Sequence, residues 1–124
     1  DFTKTEHTHY KFQSKGFMDL TVETWKVDEW LHVSVAHYYV QEGDLMSDPE
    51  IEFRAINFID VNGKVRWEIQ PIHYRQDNLG VYQEAMTLGE NGQILISPKL
   101  QREIKTFLRI WSRNIKYQGY AKTR

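Results

Sequence analysis

At 124 residues, with 40% hydrophobic and 14% aromatic side chains, the chain has the size and apolar content of one packed domain, not of a disordered segment or of two independent cores. It has no cysteine, which excludes disulfide frameworks, cysteine zinc sites and thiol nucleophiles, and no apolar run near the roughly 20 residues needed to cross a bilayer. The formal net charge of −1 hides a segregation, with eight Lys/Arg against sixteen Asp/Glu up to Ile96 and eight against one from Ser97 onward, which points to an anionic partner for the C-terminal part or to two regions that neutralise one another.

Residues 1–15, DFTKTEHTHYKFQSK, lack the basic start and apolar block of a signal peptide, so the expected compartment is the cytoplasm. They read as an extension or an edge strand. His7 and His9 stand at i and i+2 and would point the same way from a strand, where neutral imidazoles can bind zinc. A third ligand is not evident, and a polar segment near a chain end is the plainer account.

From Gly16 to Ile96 the pattern has period two with turn residues at short intervals, which predicts an antiparallel meander over 16–96. Met18, Leu20 and Val22 share one face against Asp19, Thr21 and Glu23. After a turn near Asp28, Leu31, Val33, Val35, His37 and Tyr39 share a face opposite His32, Ser34 and Ala36. His37 is thus expected to be a core histidine bonded to backbone or to an acid. A third strand is expected from about Glu50, where Ile51, Phe53 and Ala55 alternate with Glu52 and Arg54.

Asn62-Gly63 marks a hairpin whose register has two solutions. A two-residue loop pairs Phe58 with Trp67; a three-residue loop pairs Ile59 with Val65 and Ala55 with Ile69. A bulge between Phe53 and Phe58 would reconcile them. Pro71 should end regular pairing or lie at an edge. GVYQEAMTL and QILIS, joined by Asn91-Gly92, form the last hairpin. Trp67, Tyr39, Phe53 and Trp111 are expected in the core.

Ser97-Pro98 is a helix start, with serine as N-cap and proline where its missing N–H costs nothing. The spacing predicts a helix over 97–119, ending near Tyr117 with Gly119 beyond it, and a tail over 120–124. Leu100, Ile104, Phe107, Leu108, Trp111 and Ile115 form an apolar stripe at the 3.6 period. Lys99, Arg102, Lys105, Arg109, Arg113 and Lys116 form a second stripe nearly opposite, followed by Lys122 and Arg124. Such a stripe suits a phosphate backbone. A merely solvated helix face also accounts for it, as does neutralisation against the acidic meander.

The acids of HYYVQEGDLMSDPEIEF raise a second question, since Asp44, Asp48, Glu50 and Glu52 are hard oxygen donors of the kind that bind Mg²⁺ or Ca²⁺. They lack the spacing of a known calcium loop, and turn acceptors plus outward-facing glutamates explain them more simply. Trp25, Trp30, Tyr38, Tyr74 and Tyr82 exceed what one face of a small sheet needs, so some are candidates to line a groove that stacks bases or receives a protein. No serine, threonine or lysine sits in a nucleophile setting, and no glycine-rich phosphate loop occurs.

The stretch from His37 through Tyr38, Gln41, Gly43, Asp44, Leu45, Met46, Asp48, Pro49 and Phe53, followed by Tyr74, Asp77, Leu79, Gly80, Tyr82 and Glu84, resembles a group of small domains of unassigned function encoded on bacterial plasmids, integrative elements and phages. The resemblance covers about the middle third of the chain. It implies a mobile-element setting and no reaction. It also suggests that the Gly43–Asp48 loop and the Asp77–Gly80 turn adjoin at one end of the sheet, making Tyr38, Asp44, Asp48, Tyr74, Asp77 and Tyr82 a candidate polar and aromatic site.

The expected architecture is one α+β domain over 1–124, a curved antiparallel meander of five or six strands packed against one long C-terminal amphipathic helix. The leading expectation is a non-catalytic binding module of a mobile element, with no cofactor or metal and no membrane contact. It would meet nucleic acid or a nucleic-acid-handling host protein, as in an anti-defence role, through Lys99, Arg102, Lys105, Arg109, Arg113 and Lys116. One rival treats the acidic meander as a DNA-like surface toward a basic host protein. Another is a metal-dependent enzyme on Asp44, Asp48, Glu50 and Glu52, with His37 or His73 as base.

Overall fold

A computed structural model describes residues 7–123. Its elements are β1 (Thr8–Gln13), β2 (Leu20–Val27), β3 (Trp30–Gln41), β4 (Asp44–Ile59), β5 (Val65–Gln76), β6 (Val81–Glu84), β7 (Met86–Leu88), β8 (Ile94–Ile96), helix α1 (Pro98–Gln118) and β9 (Ala121–Thr123). One antiparallel sheet has the order β6-β5-β4-β3-β2-β1-β9, and β7 with β8 makes a separate two-stranded ribbon. The architecture is α+β as expected. Six strands of the sheet precede the helix, and the chain returns after it to add the seventh at the edge of β1.

The turns show why the registers are what they are. Glu42 and Gly43 both have positive φ, 53° and 86°, so the β3–β4 hairpin closes in two residues and β4 begins at Asp44, not near Glu50. The segment 44–48, expected as a loop, is strand. Between the pairs Ala36–Glu50 and Tyr38–Ser47, β4 carries one extra residue, beside the cis Asp48–Pro49 peptide.

The β4–β5 hairpin takes the three-residue solution, pairing Ile59 with Val65 and Ala55 with Ile69. Asp60 N–H donates to the Lys64 carbonyl at 2.9 Å, and Gly63 occupies the left-handed region at φ 75° that glycine alone adopts without strain. The Asp60 carboxylate accepts from Asn62 N–H at 2.8 Å, Lys64 N–H at 3.0 Å and Arg66 Nε at 2.8 Å. The bulge lies one step earlier than expected, between Glu52 and Phe53, and the extra residue is Ile72 on β5. Pro71, with no N–H to donate, stands at that break in the ladder. The last hairpin is also cut: Ala85 separates β6, which pairs with β5, from β7, which pairs with β8.

Ser97 Oγ accepts from Leu100 N–H at 3.3 Å, Pro98 opens α1, and Gly119 at φ 72° ends it. The entry is fixed to the sheet, because Ser97 N–H donates to the Ala85 carbonyl and Ala85 N–H to the Ile72 carbonyl, both at 2.8 Å. The apolar stripe does what its period predicts. Ile104 and Trp111 are buried with Leu20, Ile51 and Ala85, while Leu100, Phe107, Leu108 and Ile115 pack around them. Each large apolar side chain so buried contributes about 1.5–3 kcal/mol. His37 joins this core, its Nδ1–H donating to the Asp19 carbonyl at 3.0 Å and its ring edge-on to Trp111 at 5.5 Å. Trp67 does not join it. The β4–β5 hairpin carries Trp67 beyond the cover of the helix, leaving it 55% exposed.

Candidate functional site

Alternation along the strands gives the sheet a face that meets α1 and an outer face. On the helix side, Asn57 pairs with Trp67 and Ala55 with Ile69, so Trp67 and Ile69 reach the flank of α1. There Trp67, Ile69, Leu108, Lys105, Arg109 and Ser112 line an open cleft of about 470 Å³. Its walls are apolar and cationic, with one hydroxyl and no carboxylate.

Lys105 and Arg109 belong to the basic stripe expected from the sequence. All six cations, Lys99, Arg102, Lys105, Arg109, Arg113 and Lys116, are exposed on α1, and among the described residues none of them is in an ion pair. Neutralisation of the stripe by the chain's own acids is therefore not what the described residues do. Arg124 and the side chain of Lys122 lie outside those residues.

Several acids of the sheet find other partners. On the outer face, Tyr38 donates to Glu50 Oε1 at 2.7 Å and His73 Nε2 lies 3.2 Å from Glu50 Oε2. The hydrogen bond to His73, then that from Tyr38, holds the Glu50 carboxyl below its ordinary range although burial opposes this. Burial and the neighbouring Glu50 push the Tyr38 hydroxyl up. Tyr82 stacks on His73 with ring centres 5.8 Å apart. One pair along, Glu52 approaches the fully buried His32 at 3.8 Å, and Trp25 stacks on that imidazole at 5.6 Å. Arg54 lies 3.9 Å over the Trp30 ring and donates to Gln70 at 2.9 Å. Glu23 meets His7 at 2.8 Å and Asp19 meets Lys11 at 3.1 Å.

The candidate polar and aromatic set is divided by this geometry. Tyr38 and Tyr82 belong to the outer network, while Tyr74 faces the helix, 5.0 Å from Phe107. Tyr74 donates to Gln76, which donates to Asp48 at 3.0 Å. Asp77 accepts from Ser47 N–H at 2.6 Å and from Arg75 at 2.7 Å, and the Ser47 amide followed by Arg75 holds its carboxyl low. The start of β4 and the 3-10 turn Asp77–Leu79 thus adjoin, as the resemblance suggested, but their acids cap backbone and side-chain donors. Asp44 sits exposed beside the hairpin turn, six residues or roughly 20 Å of strand from Glu50.

No group of three or more His, Asp or Glu able to hold a metal occurs among the described residues. His7 and His9 accordingly share no such group, and His37, suggested as a base, is committed to a backbone carbonyl. Asp44, Asp48, Glu50 and Glu52 do not converge.

Sequence reasoning missed two things. Trp67 was assigned to the core because period two cannot tell where a hairpin outruns its covering helix. The outer network of His32, Glu52, Arg54, Glu50 and His73 was missed because each residue alone looks like a solvated face. A signal was present: Trp25 and Trp30 share that face with Glu23 and Ser34, and two tryptophans among polar positions mark a packed layer.

The model of a family described as "Domain of unknown function (DUF6908)" matches residues 1–121. No curated protein and no solved structure matches the chain. No helix among the described residues is long and apolar enough to cross a membrane.

Proposed function

We propose, for a chain that belongs to the DUF6908 family of domains of unknown function, that it is a non-catalytic binding module whose ligand is nucleic acid held along the basic flank of α1. The observation that carries this reading is the absence of any ion pair, among the described residues, on six exposed cations that share one flank of a 21-residue helix. From Lys99 to Lys116 the stripe runs about 26 Å at 1.5 Å per residue, long enough to meet several phosphates. Six of the acids, Asp19, Glu23, Glu50, Glu52, Asp60 and Asp77, are paired instead with Lys11, His7, His73, His32, Arg66 and Arg75. A mobile-element setting, implied by the resemblance, agrees with a nucleic-acid ligand.

Binding of a labelled oligonucleotide, followed by anisotropy as salt is raised from 50 to 200 mM, tests the proposal. With four phosphates neutralised, log K should fall against log salt with a slope of roughly −3 to −4. Arg102→Glu with Arg113→Glu should abolish binding at 50 mM salt while leaving the circular dichroism spectrum unchanged. Absence of salt-sensitive binding, or equal binding by the doubly reversed protein, refutes the reading.

A further inference from the structure

The basic stripe alone would serve duplex and single strands alike. What distinguishes this helix is the cleft beside it, where Trp67 and Ile69 of β5 stand against Leu108 of α1 and where Lys105 and Arg109 line the same space. The ligand that fits such a lining brings a flat apolar body and negative charge together, within a few ångströms of each other. A nucleotide does this when its base is free of a duplex partner. In a duplex the base faces are stacked on their neighbours, and a side chain at the groove meets only base edges and phosphates.

We infer that the cleft is a stacking site for a base of single-stranded nucleic acid, with Trp67 as the platform and Lys105 and Arg109 on the flanking phosphates. The inference rests on the basic-flank reading and adds strand selectivity to it. Trp67 is suited to this because it is 55% exposed without a ring partner among the described residues, in contrast to Trp25 and Trp111, which are buried and stacked or edge-on to other rings. The strand would continue along α1 toward Arg102 on one side and Arg113 on the other, so the base site lies between charges and not at the end of the stripe. Stacking is tolerant of sequence because every base has a π-face, so little base preference is expected.

The test compares a 12-nucleotide oligothymidine with a 12-base-pair duplex and with polyglutamate of similar charge, at 50 mM salt, using the full chain. The oligothymidine should bind at least about 10-fold more tightly than the duplex and should quench tryptophan fluorescence. Trp67→Ala should weaken the single strand about 10-fold and leave the duplex unchanged, while Trp67→Phe should retain most of the affinity and lose most of the quenching. Exposure of Trp67 makes both variants compatible with folding, which circular dichroism checks. Equal binding of the two nucleic acids, unaffected by Trp67→Ala but lost in Arg102→Glu with Arg113→Glu, overturns the stacking site and leaves the basic flank standing. Polyglutamate binding that matches oligothymidine and depends equally on Trp67 overturns the assignment to nucleotides. Failure of all three ligands to bind overturns the basic-flank reading itself.

Discussion

Ile51 and Ile59 lie on the same face of one strand, eight residues apart, and nothing local in the sequence tells them apart. The fold does: Ile51 is fully buried against Ile104 and Trp111, whereas Ile59 is 72% exposed near the hairpin tip. Replacement of Ile51 by alanine removes three carbons, a transfer loss of about 2.4 kcal/mol at 0.8 per methylene, and the cavity left in a rigid core raises the total to about 3–4 kcal/mol. At about 4 °C per kcal/mol for a domain of this size, thermal unfolding should move down by some 12–16 °C. Ile59→Ala should stay within about 0.5 kcal/mol. Urea unfolding monitored by circular dichroism measures both, with unchanged slopes as the control that the denatured state is unaltered. A loss under about 1 kcal/mol at Ile51 would mean that β4 turns its other face to the helix, and a loss at Ile59 as large as that at Ile51 would mean that the core reaches the hairpin tip; either result makes the exposed placement of Trp67 beside Arg109 wrong.

Glu50→Gln should lower stability by about 1–2 kcal/mol at pH 7, because two hydrogen bonds to a carboxylate become bonds to a neutral amide. Since the folded protein holds the Glu50 carboxyl below its ordinary value, its contribution is present above pH 4.5 and fades as pH falls through the lowered value. The stability lost between pH 5 and pH 3 should therefore be smaller in Glu50→Gln than in the parent, and an equal loss would show that Glu50 is not held ionised by His73 and Tyr38. Ser97→Ala should cost about 1 kcal/mol through loss of the cap on Leu100 N–H, measured by urea unfolding, with Ser97→Asp restoring it.

Local chemistry made the helix legible in every particular: the cap, the proline, the apolar stripe and the terminal glycine each act over a few residues. The Asn62-Gly63 hairpin was legible as a choice of two, and the three-residue form is the one that puts Ile69 and Trp67 of β5 on the same side as Ile51, Phe53 and Ala55. The extra residues in β4 and β5 were not legible, since a bulge is set by the partner strand and a proline marks only its neighbourhood. For the site, the cations were readable from spacing alone. Trp67 was not, because whether a tryptophan on an apolar face is core or surface depends on how far the helix reaches across the sheet, and no segment of the chain encodes that distance by itself.

The arrangement of strand lengths also limits how another protein could attach. The 12-residue and 16-residue strands lie inside the sheet, and the outermost positions are taken by strands of three and four residues. Short borders do not cover the long strands they flank: β6 pairs only with His73–Gln76, so the outer edge of β5 from Val65 to Gln70 has no strand partner among the described residues. A protein that adds a strand to this sheet would accordingly find its longest open edge there, beside the β4–β5 hairpin, and not at the three- and four-residue borders.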